Sequence, residues 1–133
     1  MKLTKITLII CTIFIVAFGD INHANAKVKG AKAEFVESYH NFGNIQRKSD
    51  ALSHAFSFTN SGTEPLVILS ATTSCSCIKA SFSRKPISAG ESGEITITID
   101  PRKVESGIFH RIVQIHSNSI GGTTIITLEG IAE

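Results

Sequence analysis

Two cysteines, Cys75 and Cys77, separated only by Ser76, hold the most concentrated chemistry in this 133-residue sequence. Thiols at this spacing can form a disulfide, exchange with other thiols, or bind a soft metal ion such as copper or zinc. No Gly-x-Ser-x-Gly elbow, convincing acid pair, phosphate-binding loop or fixed two-Cys, two-His spacing accompanies them. The sequence therefore predicts no catalytic residues, and we expect the protein not to be an enzyme.

A disulfide between Cys75 and Cys77 requires a bend in the backbone at Ser76. In an extended strand the Cα atoms of residues i and i+2 lie about 6.6 to 6.8 Å apart, at the upper edge of the range that a disulfide spans. The closed loop contains only three residues, so the chain-entropy relation gives a stabilisation of about 1.6 kcal/mol. We expect a weak staple that thiols reduce readily, or two free thiols available for exchange.

A metal site would need ligands beyond the two thiolates, and the histidines are the candidates: His40, His54, His110 and His116. His110 and His116 lie about 20 Å apart along one predicted strand, so they cannot bind the same ion. The weak metal set is Cys75, Cys77 and His54, with copper or zinc as the cofactor it would hold. We favour the simpler interpretation, in which the cysteines form a local bridge or pack as small apolar side chains, and expect no cofactor.

The N-terminus has the order of a secretory signal peptide at 1–26: two lysines, an apolar run at 6–18 and a small-residue site ending at Ala26. The apolar run has 13 residues, well short of the roughly 20 that span a bilayer as a helix. We therefore expect no permanent membrane span. Cleavage near Ala26 would release a flexible leader at 27–33 and one domain at 34–133 into the periplasm or the medium, where disulfides persist.

The charge of the chain is nearly balanced. It has 13 basic and 11 acidic residues, and removal of 1–26 takes away two lysines and one aspartate, which leaves a net charge of about +1. A surface with this balance gives no electrostatic reason to bind nucleic acid. We expect no nucleic-acid partner.

Apolar residues alternate with a period of two along much of the chain, which predicts half-buried β-strands. The pattern is clearest at 52–58 and 95–99, and the three prolines stand at the boundaries of apolar stretches. We predict seven strands, at about 34–44, 51–59, 66–72, 77–83, 93–100, 108–117 and 123–131. This spacing favours an all-β fold, an Ig-like two-sheet antiparallel β-sandwich, over a β-barrel.

The predicted core consists of inward-facing apolar side chains from both sheets. The chain has no tryptophan, and its second and sixth predicted strands lack cysteine, so the inter-sheet disulfide of antibody domains is absent. Apolar burial must hold the two sheets together. The predicted core residues are Phe56, Phe58, Ile68, Phe82, Ile95, Ile97, Ile99, Val113, Ile115, Ile126 and Leu128.

Several short stretches together resemble a known family pattern. They lie at 54–62, 65–68, 74–77, 86–87, 89–93, 107–109 and 117–118. The chain resembles the bacterial secreted family called domain of unknown function fifteen-seventy-three, whose fold is similar to the Ig-like ASH, HYDIN and major-sperm-protein sandwiches. Members commonly have Gly and Thr where this chain has Ser76 and Ile78. The resemblance covers about 34–131 and implies the fold but no activity.

The fold and the absence of a recognisable catalytic motif favour one class of function. We expect a secreted, non-catalytic module that binds or scaffolds an envelope protein through a sheet edge or its end loops. The alternative is a thiol-redox or soft-metal protein centred on Cys75 and Cys77.

Overall fold

The computed structural model describes residues 29–133, which form eight strands and one short 3₁₀ helix. The predicted signal peptide at 1–26 and the first two residues of the predicted leader lie outside the described residues. No helix within 29–133 is long and apolar enough to cross a bilayer. In chain order the strands are β1 Ala33–Phe35, β2 Tyr39–Ile45, β3 Leu52–Asn60, β4 Ile68–Thr73, β5 Ile78–Phe82, β6 Ser92–Ile99, β7 Gly107–Ser117 and β8 Thr123–Ala132, with the 3₁₀ helix at Pro101–Lys103 between β6 and β7.

The strands form two four-stranded sheets that pack face to face, which confirms the predicted Ig-like β-sandwich. Sheet one has the order β1-β3-β6-β5, and sheet two has the order β2-β8-β7-β4. All pairs are antiparallel except β2 with β8, which is parallel, so the expectation of purely antiparallel sheets is wrong for this pair. Six of the seven predicted strands match observed strands to within two residues at each end.

The first predicted strand, 34–44, is wrong because the chain changes sheets within it. β1 pairs with β3 in sheet one, and β2 pairs with β8 in sheet two. Two backbone hydrogen bonds mark the change, one from Val36 N to Ser57 O at 3.0 Å and one from Thr127 N to Ser38 O at 2.8 Å. Residues 29–133 therefore contain eight strands rather than seven, because the segment predicted as one strand supplies one edge strand to each sheet.

The core lies between the sheets and takes alternate side chains from every long strand, as the period of two predicted. All the predicted core residues are buried except Phe82, which is half-buried at the end of β5 with the Arg84 guanidinium 5.7 Å from its ring centroid. The largest fully buried side chains include Phe56, Phe58, Phe109, Leu66, Ile68, Ile95, Ile97, Ile99, Ile115, Ile126 and Leu128.

Asn60, the last residue of β3, is the one fully buried polar residue within 29–133. Its amide makes four hydrogen bonds, all to backbone groups. The Oδ1 atom accepts from Lys32 N at 3.2 Å and Gly62 N at 3.0 Å. The Nδ2 atom donates to Glu64 O at 2.7 Å and Ile87 O at 2.9 Å. A single buried side chain thus satisfies backbone groups of three separate segments.

We predict that Asn60→Ala lowers the free energy of unfolding by about 2 to 4 kcal/mol, because it leaves several buried backbone groups without partners. Urea unfolding followed by circular dichroism measures the change. Asn44→Ala is the matched control, since Asn44 is exposed and donates one side-chain hydrogen bond to Glu133. The control should change stability by less than about 0.5 kcal/mol. Equal losses in both variants would contradict the structural role of Asn60.

Candidate functional site

Both cysteines lie in the crossover that carries the chain from β4 in sheet two to β5 in sheet one. β4 ends at Thr73 and β5 begins at Ile78. A turn at Ser76 and Cys77 is closed by a hydrogen bond from Ile78 N to Cys75 O at 3.2 Å. The turn brings the two cysteine Cα atoms to 5.1 Å and their Sγ atoms to disulfide distance. The predicted bend at Ser76 is confirmed.

The two sulfur-bearing residues differ in exposure. Cys77 is 2% exposed and belongs to the apolar core, whereas Cys75 is half-buried at the surface. Cys75 lines a shallow hollow together with Ser74, His110, Arg111 and Ile112. The Cys77 N–H group donates a hydrogen bond to Cys75 Sγ at 3.3 Å. Cys75 thus has a backbone donor at its sulfur and an arginine nearby, whereas Cys77 is almost fully buried and borders a separate, smaller hollow with polar and charged neighbours.

The structure does not bring His54 to the cysteines. His54 pairs with Ile97 on β6, and Ile97 pairs in turn with Ala80 on β5. Two strand spacings, about 10 Å, therefore separate His54 from the strand that follows Cys77. Within 29–133 no group of three or more His, Cys, Asp or Glu side chains is placed to hold a metal ion.

His54 instead stacks on His40, on the side of the sandwich away from the crossover. The ring centroids are 3.6 Å apart and the rings are nearly parallel. The Nε2 atom of His54 lies 2.5 Å from Glu37 Oε1. Burial and the neighbouring His54 lower the pKa of the His40 imidazole, while Glu37 acts in the opposite direction. Since His40 comes from β2 and His54 from β3, the pair joins the two sheets.

The edge of sheet two at β4 carries neither a charged residue nor a proline. Within 29–133, β4 pairs with β7 alone. Its six residues include no charged residue and no proline, and Leu69, at an irregularity in the register, is 49% exposed. Natural edges are usually shortened, bulged or charged, because free backbone groups recruit further strands. β4 shares a register irregularity with β2, but its residues 70–73 pair with β7 in regular register and carry no charge. By contrast, β1 has only three residues and β5 carries Lys79.

The outer face of sheet two adds apolar surface beside this edge. A shallow hollow next to β4 is lined by Thr72, Thr73, Ser74, Ile112 and Gln114. The large apolar side chains exposed on the same face are Tyr39, Ile108, Ile112, Ile125 and Ile131. Exposed apolar surface of this kind marks interaction sites. The sequence contains a signal for this apolar surface, because isoleucines occupy the face of β7 opposite Phe109 and Val113. The alternation of buried and exposed positions, however, assigned that face to solvent.

Solved structures with similar coordinates define the class of fold. A protein of unknown function from Porphyromonas gingivalis W83 is 20% identical with a TM-score of 0.69, covering 81% of this chain and 50% of that chain. This chain therefore spans about half the length of that protein. The ASH / PapD-like domain 7 of human CEP192 is 12% identical with a TM-score of 0.63, covering 78% and 87% of the two chains.

The periplasmic chaperone SfaE is 6% identical with a TM-score of 0.54, covering 76% of this chain and 58% of that chain. At such low identity these likenesses show a shared fold, that of the Ig-like and PapD-like sandwiches. Residues 33–132 match the family described as Protein of unknown function (DUF1573), and the chain belongs to that family. The predicted resemblance is thereby confirmed. No curated relative matches the sequence.

We predict that reducing the Cys75–Cys77 bridge lowers the free energy of unfolding by about 1.6 kcal/mol, because the closed loop has only three residues. Urea unfolding of the oxidised and the reduced protein measures the difference. The double variant Cys75→Ala, Cys77→Ala is the control, and reductant should not change its stability. A reduced protein that is unfolded without urea would show instead that the fold depends on the bridge.

We predict that the protein loses stability as the pH falls from about 7 to about 5. The unfolded chain takes up a proton on histidine near pH 6.5, whereas burial keeps His40 neutral to lower pH in the fold, so acid favours the unfolded state. His40→Phe, which retains an aromatic ring, should flatten this slope in urea unfolding. Val113→Ala, a core variant without a titrating group, should lower stability equally at both pH values. An unchanged slope in His40→Phe would assign the pH dependence to other groups.

Proposed function

We propose that this protein is a secreted, non-catalytic binding module of the cell envelope that takes an extended segment of another envelope protein along the β4 edge. The observation that carries the proposal is the uncharged, one-sided pairing of Ile68–Thr73. An added strand would use the backbone groups on the free side of β4, as in β-strand addition. The signal-peptide pattern at 1–26 supports export.

The surroundings of β4 determine the chemistry of the partner. Backbone hydrogen bonds would supply affinity without regard to sequence, while side chains next to the edge would supply specificity. Leu69 offers an apolar contact at the edge, and Thr72, Thr73 and Ser74 offer small polar groups. The partner segment should therefore alternate apolar with small residues and carry little charge.

The fold class supports a binding role. Sandwiches similar to this one include a protein described as a periplasmic chaperone and a domain described as ASH / PapD-like. Fold likeness alone does not determine function, so the proposed binding role rests on the β4 edge of this chain.

We predict that a photo-crosslinking amino acid at Thr72 captures an envelope protein in living cells, whereas the same group at Glu94, on the outside of sheet one, does not. A synthetic peptide with the sequence of the captured segment should then bind the purified protein and protect the β4 amides from hydrogen exchange. Protection by hydrogen bonding is specific to strand addition. A segment that binds without protecting β4 would contradict the proposed mode.

Charge at the edge provides the second arm of this test. The double variant Leu69→Lys, Ser70→Lys should weaken binding of that peptide by about tenfold or more, because lysines at an edge oppose strand pairing. Val36→Lys is the matched control, since Val36 is 81% exposed and lies where the chain changes sheets, away from β4. The control should bind like the wild type. Equal loss in both variants would place the site elsewhere.

A further inference from the structure

We propose that Cys75 and Cys77 form a reversible thiol–disulfide exchange site, in which Cys75 reacts with the partner thiol and Cys77 is the sulfur released when the bridge opens. The arrangement that carries the proposal is a bridge with one accessible and one enclosed sulfur. Cys75 lines an open hollow, while Cys77 is 2% exposed. The exchange does not require a strand bound at β4, and its test uses neither the β4 edge nor an envelope partner.

The surroundings of Cys75 favour its thiolate. The Cys77 backbone N–H group donates to Cys75 Sγ at 3.3 Å, and Arg111 lines the same hollow. Hydrogen-bond donors and positive charge stabilise a thiolate, which is the reactive form of cysteine. Cys77 belongs to the apolar core cluster and is almost fully buried, and burial disfavours a charged sulfur. The two sulfurs therefore have different roles.

The exchange transfers two electrons from two partner thiols to the Cys75–Cys77 bridge. A thiolate of the partner attacks Cys75 Sγ and forms a new disulfide with it, while the Cys75–Cys77 bond breaks and its electron pair leaves on Cys77. The released Cys77 sulfur takes up the proton that the partner thiol gave up, because its buried position disfavours the charged form. A second partner thiolate then attacks the partner sulfur of this mixed disulfide and releases Cys75 as a thiolate. Overall, two partner thiols are oxidised to a disulfide and the Cys75–Cys77 disulfide is reduced to two thiols.

The substrate class follows from the shape of the site. The hollow is shallow and open, with Ser74, His110 and Ile112 around Cys75, so it suits a sterically accessible thiol. The short loop supports ready exchange, because closing three residues stabilises the bridge only weakly. Glutathione is a suitable probe, since it is a small and accessible thiol.

The first experiment treats the oxidised protein with reduced glutathione. The full sequence is expressed, so that the cell itself processes the N-terminal segment before purification. The protein carries Cys11→Ser, so that any of this segment that remains attached adds no thiol. Acid quenching, alkylation and peptide mass spectrometry then locate the adduct. We expect one glutathione on Cys75 at early times and two free thiols later. A bridge that survives excess glutathione for hours, an adduct on Cys77, or cysteines isolated reduced with copper or zinc bound would overturn the proposal.

The second experiment compares the two thiols separately. The Cys77→Ala variant retains the backbone donor to Cys75, and its thiol should react with iodoacetamide at pH 7 about tenfold faster than the Cys77 thiol of Cys75→Ala. Arg111→Gln should slow Cys75 and raise the midpoint of its pH–rate profile. Arg84→Gln is the control, because Arg84 lies beyond the end of β5 that is remote from the cysteines. It should neither slow Cys75 nor shift its profile. Equal rates at the two cysteines in folded variants would reject the assigned roles.

Discussion

The buried amide of Asn60 is the constraint on which one end of the sandwich depends. The residue stands where β3 ends, and its side chain holds the backbone at Lys32, Gly62, Glu64 and Ile87. Its own backbone adds bonds to the loop before β6, from Asn60 N to Glu91 O and from Gly90 N to Asn60 O. Because these bonds converge on one buried amide, the end loops here are held in one arrangement. Replacing the amide would leave several of their groups without partners.

The crossover with the cysteines lies at the opposite end of the same sheet. Leu52, the first residue of β3, pairs with Ile99, and Ile99 pairs with Ile78 directly after Cys77. Opening the bridge therefore disturbs no bond of the Asn60 network. The apolar core supplies the cohesion that antibody domains supplement with an inter-sheet disulfide. This separation would let the proposed exchange at Cys75 and Cys77 proceed without loosening the Asn60 end of the sandwich.

The sequence allowed the sandwich to be predicted because strand alternation is local. The sequence did not predict the change of sheets between Phe35 and Tyr39, because apolar residues continue on both sides of the break. The parallel pairing of β2 with β8 joins residues far apart in the chain, which no local period encodes. For the same reason the spacing of His54 along its strand could not show that it stacks on His40. The sequence offered a Cys75–Cys77 bridge as one alternative, because the two residues are close enough to lie in one turn, but their spacing did not choose between a bridge and free thiols.

The β4 edge and the cysteine hollow are neighbours in the chain and in space. β4 ends at Thr73, two residues before Cys75, and the two hollows share Ser74 and Ile112. A segment paired along β4 would therefore end beside the accessible sulfur. Strand addition fixes the register of every residue in the added segment. A cysteine at one position of such a segment would then meet Cys75 at a high effective concentration, and binding would select which thiol is exchanged.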